Sequence, residues 1–316
     1  MKYAPLLFLL SVLLAPPGAC QDITVFPLPL PEGAPVSLAT GHDGHLWFKA
    51  RDGASVYSLS TEGSVREYPL PHPRCDTLGL TRGPRDSVWF VQRYDNSVAG
   101  VAPDGTVTEY RIPLPQHSGV TTPLSADADG SLWFAGYTYG AGSFVAQMTP
   151  DGEFRIQRFP TWGEVSSLAI DRDGLVWLAR TSESLLSQVM RTGGTCDIPT
   201  YHPEQLIALS TGGVCVLPLD SDGVLFGVDS GVCSAVSIDG APESPLEDPD
   251  GHLWFTAFVA NAIVSLSPTG TRRTFPLPNL RAGVRTITVG PDGAIWAAGS
   301  RPPAAYRLSL RAKPGH

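Results

Sequence analysis

Residues 249–256 read Pro-Asp-Gly-His-Leu-Trp-Phe-Thr, and residues 290–296 read Gly-Pro-Asp-Gly-Ala-Ile-Trp. Each is an Asp-Gly turn, two residues, then a tryptophan. The phrase recurs along the chain and anchors Trp47, Trp89, Trp133, Trp177, Trp254 and Trp296, with Cys215 in the tryptophan place of one degenerate copy. Successive anchors lie 42, 44, 44, 38, 39 and 42 residues apart. A period near forty filled with short alternating apolar runs is the signature of a β-propeller. Asp-Gly suits a tight hairpin because glycine accepts positive φ without a Cβ clash and aspartate tolerates it. One tryptophan per repeat, always in the same strand, is the residue expected to pack between neighbouring blades, where a large aromatic buries the most area.

Each repeat parses into four strands. In the second, Leu78–Thr81, Ser87–Val91, Ser97–Val101 and Thr106–Ile112 run from the channel outward, with Pro103-Asp104-Gly105 turning into the last. The fifth repeat replaces the tryptophan phrase with Thr211-Gly212-Gly213-Val214-Cys215, which leaves a small hydrophobe where the others carry an indole. The ends of the propeller text complement each other. Val25-Phe26-Pro27-Leu28-Pro29 copies the outer-strand text Glu67-Tyr68-Pro69-Leu70-Pro71, while the last repeat stops after its third strand. The expectation is an all-β, seven-bladed propeller over residues 21–312, each blade a four-stranded antiparallel sheet. The first strand would supply the missing fourth strand of the last blade and remove an open edge.

Residues 1–20 read as an export signal: Lys2, the apolar run Leu6–Leu14, then Gly18-Ala19-Cys20. The run is too short for a stable membrane span. Gly18-Ala19-Cys20 is similar to the end of a bacterial lipoprotein signal, so a secreted, periplasmic or lipid-anchored protein is expected, with membrane contact only through a lipid on Cys20. Residues 313–316 form a short tail. Cys75, Cys196, Cys215 and Cys233 complete the cysteines. None has Cys-x-x-Cys spacing, so neither a zinc nor a redox site is expected. Cys215 and Cys233 fall on strands two apart in one blade, about 9–10 Å from each other, so no bridge is expected between them. The net charge is −8 with three lysines, Lys2, Lys49 and Lys313, and no basic stripe. That argues against nucleic acid as a partner.

The repeats resemble the virginiamycin B lyase (streptogramin B lyase) family across nearly the whole mature chain, in the two phrases above and in 260–266 (Ala-Asn-Ala-Ile-Val-Ser-Leu) and 103–110 (Pro-Asp-Gly-Thr-Val-Thr-Glu-Tyr). The resemblance implies a seven-bladed ring and, in the lyase proper, a histidine base with Mg²⁺ that opens a cyclic depsipeptide by elimination. The lyase's histidines would fall at Glu243 and Arg285, and its acids at Gly283 and Ser300. None of the expected groups is present, and neither a guanidinium nor this carboxylate replaces an imidazole base. No catalytic or metal residue is therefore assigned, and no cofactor; Mg²⁺ enters only if the chain is a divergent lyase.

Other signals are weaker. No Gly-x-Ser-x-Gly phrase supports a serine nucleophile. Asp-x-Asp-Gly phrases, as at Asp171 and Asp248, are read as turns rather than calcium loops, because the third acid and the distal glutamate are missing. A binding site is expected at the mouth where outer strands hand over to the next inner strand. His117, Trp162, Tyr201, His202 and Arg281 line those loops, and Glu204, Glu243 and Arg285 stand at the channel rim. A small molecule, glycan, peptide or protein would suit them. Against that stands mutual neutralisation of Glu204, Glu243 and Arg285. The favoured function is ligand or partner binding without chemistry; the alternative is a divergent Mg²⁺-dependent lyase acting on streptogramin B antibiotics.

Overall fold

The computed structural model describes residues 23–30, 35–50, 53–72, 77–93, 95–159, 163–190, 194–200, 202–218, 224–228, 236–237, 242–279 and 281–309. They form a β-propeller of small antiparallel sheets. The one helical turn among them is a 3₁₀ turn at Thr181–Glu183. No helix among the described residues is long and apolar enough to cross a membrane. The export signal, Cys20, Cys75, Cys233 and the tail lie outside the described residues.

Six blades are complete where the sequence leads to seven. They are the sheets of Trp47, Trp89, Trp133, Trp177, Trp254 and Trp296. The remaining sheet, that of Cys215, is described in part: Pro203–Ala208 and Val214–Pro218 pair over their lengths, but Val224–Val228 meets Val236–Ser237 over two residues only. Cys215 puts a small hydrophobe where the other blades carry an indole. Cys215 is fully buried and disulfide-bonded, to a cysteine outside the described residues. Cys196 is free and exposed.

Ring closure follows the sequence. Ile23–Pro27 pairs antiparallel with Pro303–Leu308, as the outermost strand of the Trp296 sheet. Phe26 stacks on Trp296 with ring centroids 5.1 Å apart. The Trp133 sheet departs from the four-strand parse. Its inner edge is split into Ser118–Val120 and Ser125–Ala126, both paired to Leu132–Thr138. Pro123 lies in the gap and has no N–H to continue the ladder. Thr122 replaces part of it, its buried Oγ1 accepting Ala135 N at 2.9 Å.

The turn phrase has a shared physical purpose in four of the six tryptophan blades; in the Trp89 blade the indole donates to Pro84 O at 2.9 Å instead. Asp171 Oδ1 accepts Asp173 N and Leu175 N, and its Oδ2 accepts Trp177 Nε1 at 2.9 Å. Asp248 does the same for Asp250 N, His252 N and Trp254 Nε1. The first aspartate of Asp-x-Asp-Gly thus closes the turn and satisfies the buried indole. In the Gly-x-Asp-Gly copies the second aspartate takes over: Asp43 accepts Trp47 Nε1 at 3.0 Å and Asp292 accepts Trp296 Nε1 at 2.9 Å. Glycine is required at the first place there, because a Cβ on Gly41 would lie 2.5 Å from Trp47 Nε1. The Asp248, Asp250 and His252 side chains lie close enough to hold a cation, but both Asp248 oxygens are engaged by the turn and the indole.

Small polar side chains bind neighbouring inner strands together. Ser37 Oγ accepts Leu80 N at 2.6 Å, Ser167 Oγ accepts Leu206 N at 3.1 Å, and Thr286 Oγ1 accepts Leu38 N at 3.1 Å. The innermost strand of each sheet has no ladder partner on its channel side. Its backbone groups need other partners there, and these serines and threonines provide them across the blade boundary.

Candidate functional site

The topology puts two kinds of loop on one face: the hairpins joining second to third strands, and the connections from each outer strand to the next inner strand. The aspartate turns lie on the opposite face. The first face is the channel mouth.

His117 and His202 directly precede the inner strands Ser118–Val120 and Pro203–Ala208, Arg281 comes shortly before Val284–Val289, and all three share a left-handed backbone with φ of 62°, 34° and 55°. Such angles carry a cost for non-glycine residues and are held by the surrounding turn. His117 is exposed, and its carbonyl accepts Tyr139 N at 3.0 Å. His202 and Arg281 are also exposed. Trp162 and Tyr201 lie outside the described residues.

Glu204, Glu243 and Arg285 stand near the starts of the inner strands Pro203–Ala208, Pro242–Glu247 and Val284–Val289, which belong to three successive sheets. Arg285 Nη1 donates to Glu243 Oε1 at 2.7 Å. Its guanidinium also lies 4.1 Å from the centroid of the Phe258 ring. The expected neutralisation therefore holds for two of the three. Glu204 has neither a hydrogen bond nor an ion pair among the described residues. Burial pushes its carboxyl above the usual carboxylate range, and the charge of Glu243 adds to the rise.

That shift has a definite sign. A carboxyl raised in the folded state leaves stability intact below its ordinary pKa and reduces it as pH climbs through the raised value. Glu204→Gln is expected to raise the urea midpoint at neutral pH and leave it unchanged in acid. A gain that persists below the carboxylate range would refute the electrostatic cause.

Among the described residues, the positions that the family resemblance assigns to the lyase's histidines and acids do not fit an Mg²⁺ site. Magnesium needs oxygen ligands, carboxylates first. At this rim Glu243 already holds a guanidinium, position 285 is that guanidinium, and positions 283 and 300 are Gly283 and Ser300.

Sequence reasoning missed the aromatic lining of the mouth. Arg93, Tyr137, Thr181, Phe258 and Ser300 each stand four residues after their tryptophan. Strand alternation puts that position on the tryptophan's face, two steps closer to the mouth. Reading this register across the repeats would have found Tyr137 and Phe258.

A model of the virginiamycin B lyase family matches residues 18–192. A virginiamycin B lyase of Nocardia farcinica is 32% identical over 171 residues, which are 54% of this chain and 60% of that relative, so the match spans less than two thirds of the relative's length. Among solved structures, a streptogramin B lyase superposes with a TM-score of 0.78 at 20% identity, covering 91% of this chain and 98% of the other. A virginiamycin B lyase from Staphylococcus aureus gives 0.77 at 19% identity, covering 92% and 99%. At such identities the structural likeness establishes the fold. The extent of the family match carries the stronger conclusion: the chain belongs to the virginiamycin B lyase family.

Proposed function

We propose that this chain is an exported, seven-bladed member of the family that binds a ligand at its channel mouth without lyase chemistry. The observation that carries the proposal is the 2.7 Å pair of Glu243 and Arg285. The family resemblance expects imidazole at those two positions. In their place a carboxylate and a guanidinium engage each other, and Arg285 also covers Phe258. A paired guanidinium cannot take a proton, because it is already fully protonated at any working pH. Elimination needs a base within reach of the substrate α-proton; positions 243 and 285 carry no imidazole, and the histidines of this face, His117 and His202, stand in the loops of other repeats.

The stiff, proline-bounded loops and the mixture of aromatic and charged groups suit recognition, since a preformed site loses less entropy on binding. The Cys215 disulfide is in keeping with an oxidising compartment.

The test is incubation of the mature protein with a type B streptogramin, with and without Mg²⁺, followed by fragmentation mass spectrometry. Intact cyclic substrate under both conditions is the expected result. A linear product of unchanged mass, lost on chelation, would make the chain a divergent lyase with a rebuilt site.

A further inference from the structure

The mouth contains a second aromatic position that the chain leaves uncovered. On the strand Leu132–Thr138, Trp133 and Ala135 face the next sheet and pack with Val165 and Leu168. Tyr137 continues that row toward the mouth, and Tyr139 follows two residues on. Tyr137 is 39% exposed and Tyr139 84% exposed, and no ring stacks on either among the described residues. Together with Gly163 and Glu164 at the start of the Trp177 repeat, they line an open cavity of about 220 Å³.

The repeat itself shows what an aromatic ring at this register accepts. Phe258 occupies the matching position in the Trp254 sheet, and Arg285 from the following sheet places a guanidinium 4.1 Å from its centroid. The counterpart of Arg285 beside Tyr137 is Ser166, whose hydroxyl is engaged with Thr181 at 2.7 Å. No cation covers Tyr137 or Tyr139 among the described residues. Glu164 likewise has no ion pair or hydrogen bond there. In one sector the chain supplies its own cation; in the other it presents the acceptor alone.

The cavity's chemistry narrows the occupant. Both ring faces carry negative quadrupole potential, and the carboxylate adds a full charge. No basic residue lines the cavity among the described residues. Two of its neutral polar groups are already engaged: Thr138 Oγ1 bonds Ser118 Oγ at 2.8 Å, and Gly163 N donates to Glu183 Oε1 at 2.9 Å. A primary ammonium has three protons to place, whereas a quaternary ammonium has none and is held by the ring faces and the carboxylate charge. The volume is below the roughly 300–1,000 Å³ of sites for drug-sized molecules, which fits a head group. We infer that the Tyr137–Tyr139–Glu164 cavity is a recognition site for a quaternary, methylated ammonium group. This deepens the binding reading above by naming a ligand class.

The test titrates the mature protein with choline and with 3,3-dimethylbutan-1-ol, its uncharged isostere, observed by tyrosine fluorescence and NMR line shifts. Choline is expected to bind at least tenfold more tightly. Tyr137→Leu and Glu164→Gln should each weaken it about fivefold or more with circular dichroism unchanged, because both side chains are substantially exposed. Equal affinity for the isostere, preference for a neutral methyl pyranoside, no choline response at all, or indifference to both substitutions would each overturn the assignment. Streptogramin turnover would refute the non-enzymatic reading yet leave a choline result standing. Absence of choline binding with the antibiotic intact would defeat this inference alone.

Discussion

A chain starting at Leu28, without the strand Ile23–Pro27, is expected to lose cooperative folding. That strand supplies the complete outer ladder of the Trp296 sheet, with Ile23 opposite Leu308 and Pro27 opposite Ala304. Phe26 stacks on Trp296, while Ile23 and Val25 pack against the cluster that holds Tyr306 and Leu308. Phe26 is half-buried, so its loss costs somewhat less than the about 3–5 kcal/mol of a fully buried phenylalanine. Two more partly buried aliphatics add to that, against a total stability of about 5–15 kcal/mol for a typical protein. Deletion would also expose the Pro303–Leu308 edge, ready to pair with another chain. Size-exclusion chromatography should show aggregates, and thermal scans should lose their single transition. A peptide spanning 23–30 added in trans should restore part of both. An unchanged, cooperative melt of the truncated chain would refute the role of this strand as the lock of the ring.

That lock was legible because the same outer-strand text appears at both Val25–Pro29 and Glu67–Pro71, and copied text in a repeat implies a copied place. The tryptophan period was legible for the same reason. Where the text degenerates, the structure also becomes less complete: the sheet of Cys215 is the one described in part. The mouth was harder to read. Strand register placed Glu204, Glu243 and Arg285 at one rim, but not which of them would pair. Arg285 reaches Glu243 and leaves Glu204 unpaired, an outcome of side-chain direction that no spacing encodes. Tyr137 and Tyr139 escaped notice because an isolated tyrosine in a strand looks like core. Their exposure is a property of the assembled face that the strand text does not encode.

The aspartates of the turns offer the sharpest test of how sequence phrase becomes fold. Asp171→Ala is expected to cost about 2–4 kcal/mol, because it strands a buried indole N–H and two turn amides at once, each orphaned group costing about 1–3 kcal/mol with partial relief from water. Asp171 is buried, and Trp177 is almost fully so, which limits that relief for the indole. Asp127, the matching residue of the Trp133 repeat, is the internal control. Its Oδ1 accepts only Ala128 N at 2.7 Å, and Trp133 Nε1 is already buried without a partner. Asp127→Ala has no indole bond to break and should cost under about 1 kcal/mol. Asp171→Asn keeps one acceptor oxygen and should fall between the two. Urea denaturation of the three variants decides the matter. Equal losses at 171 and 127 would mean that the aspartate serves the turn alone. A large gap would show that the recurrent acid is retained for the indole, and that the Asp-x-Asp-Gly phrase encodes blade packing and not cation binding.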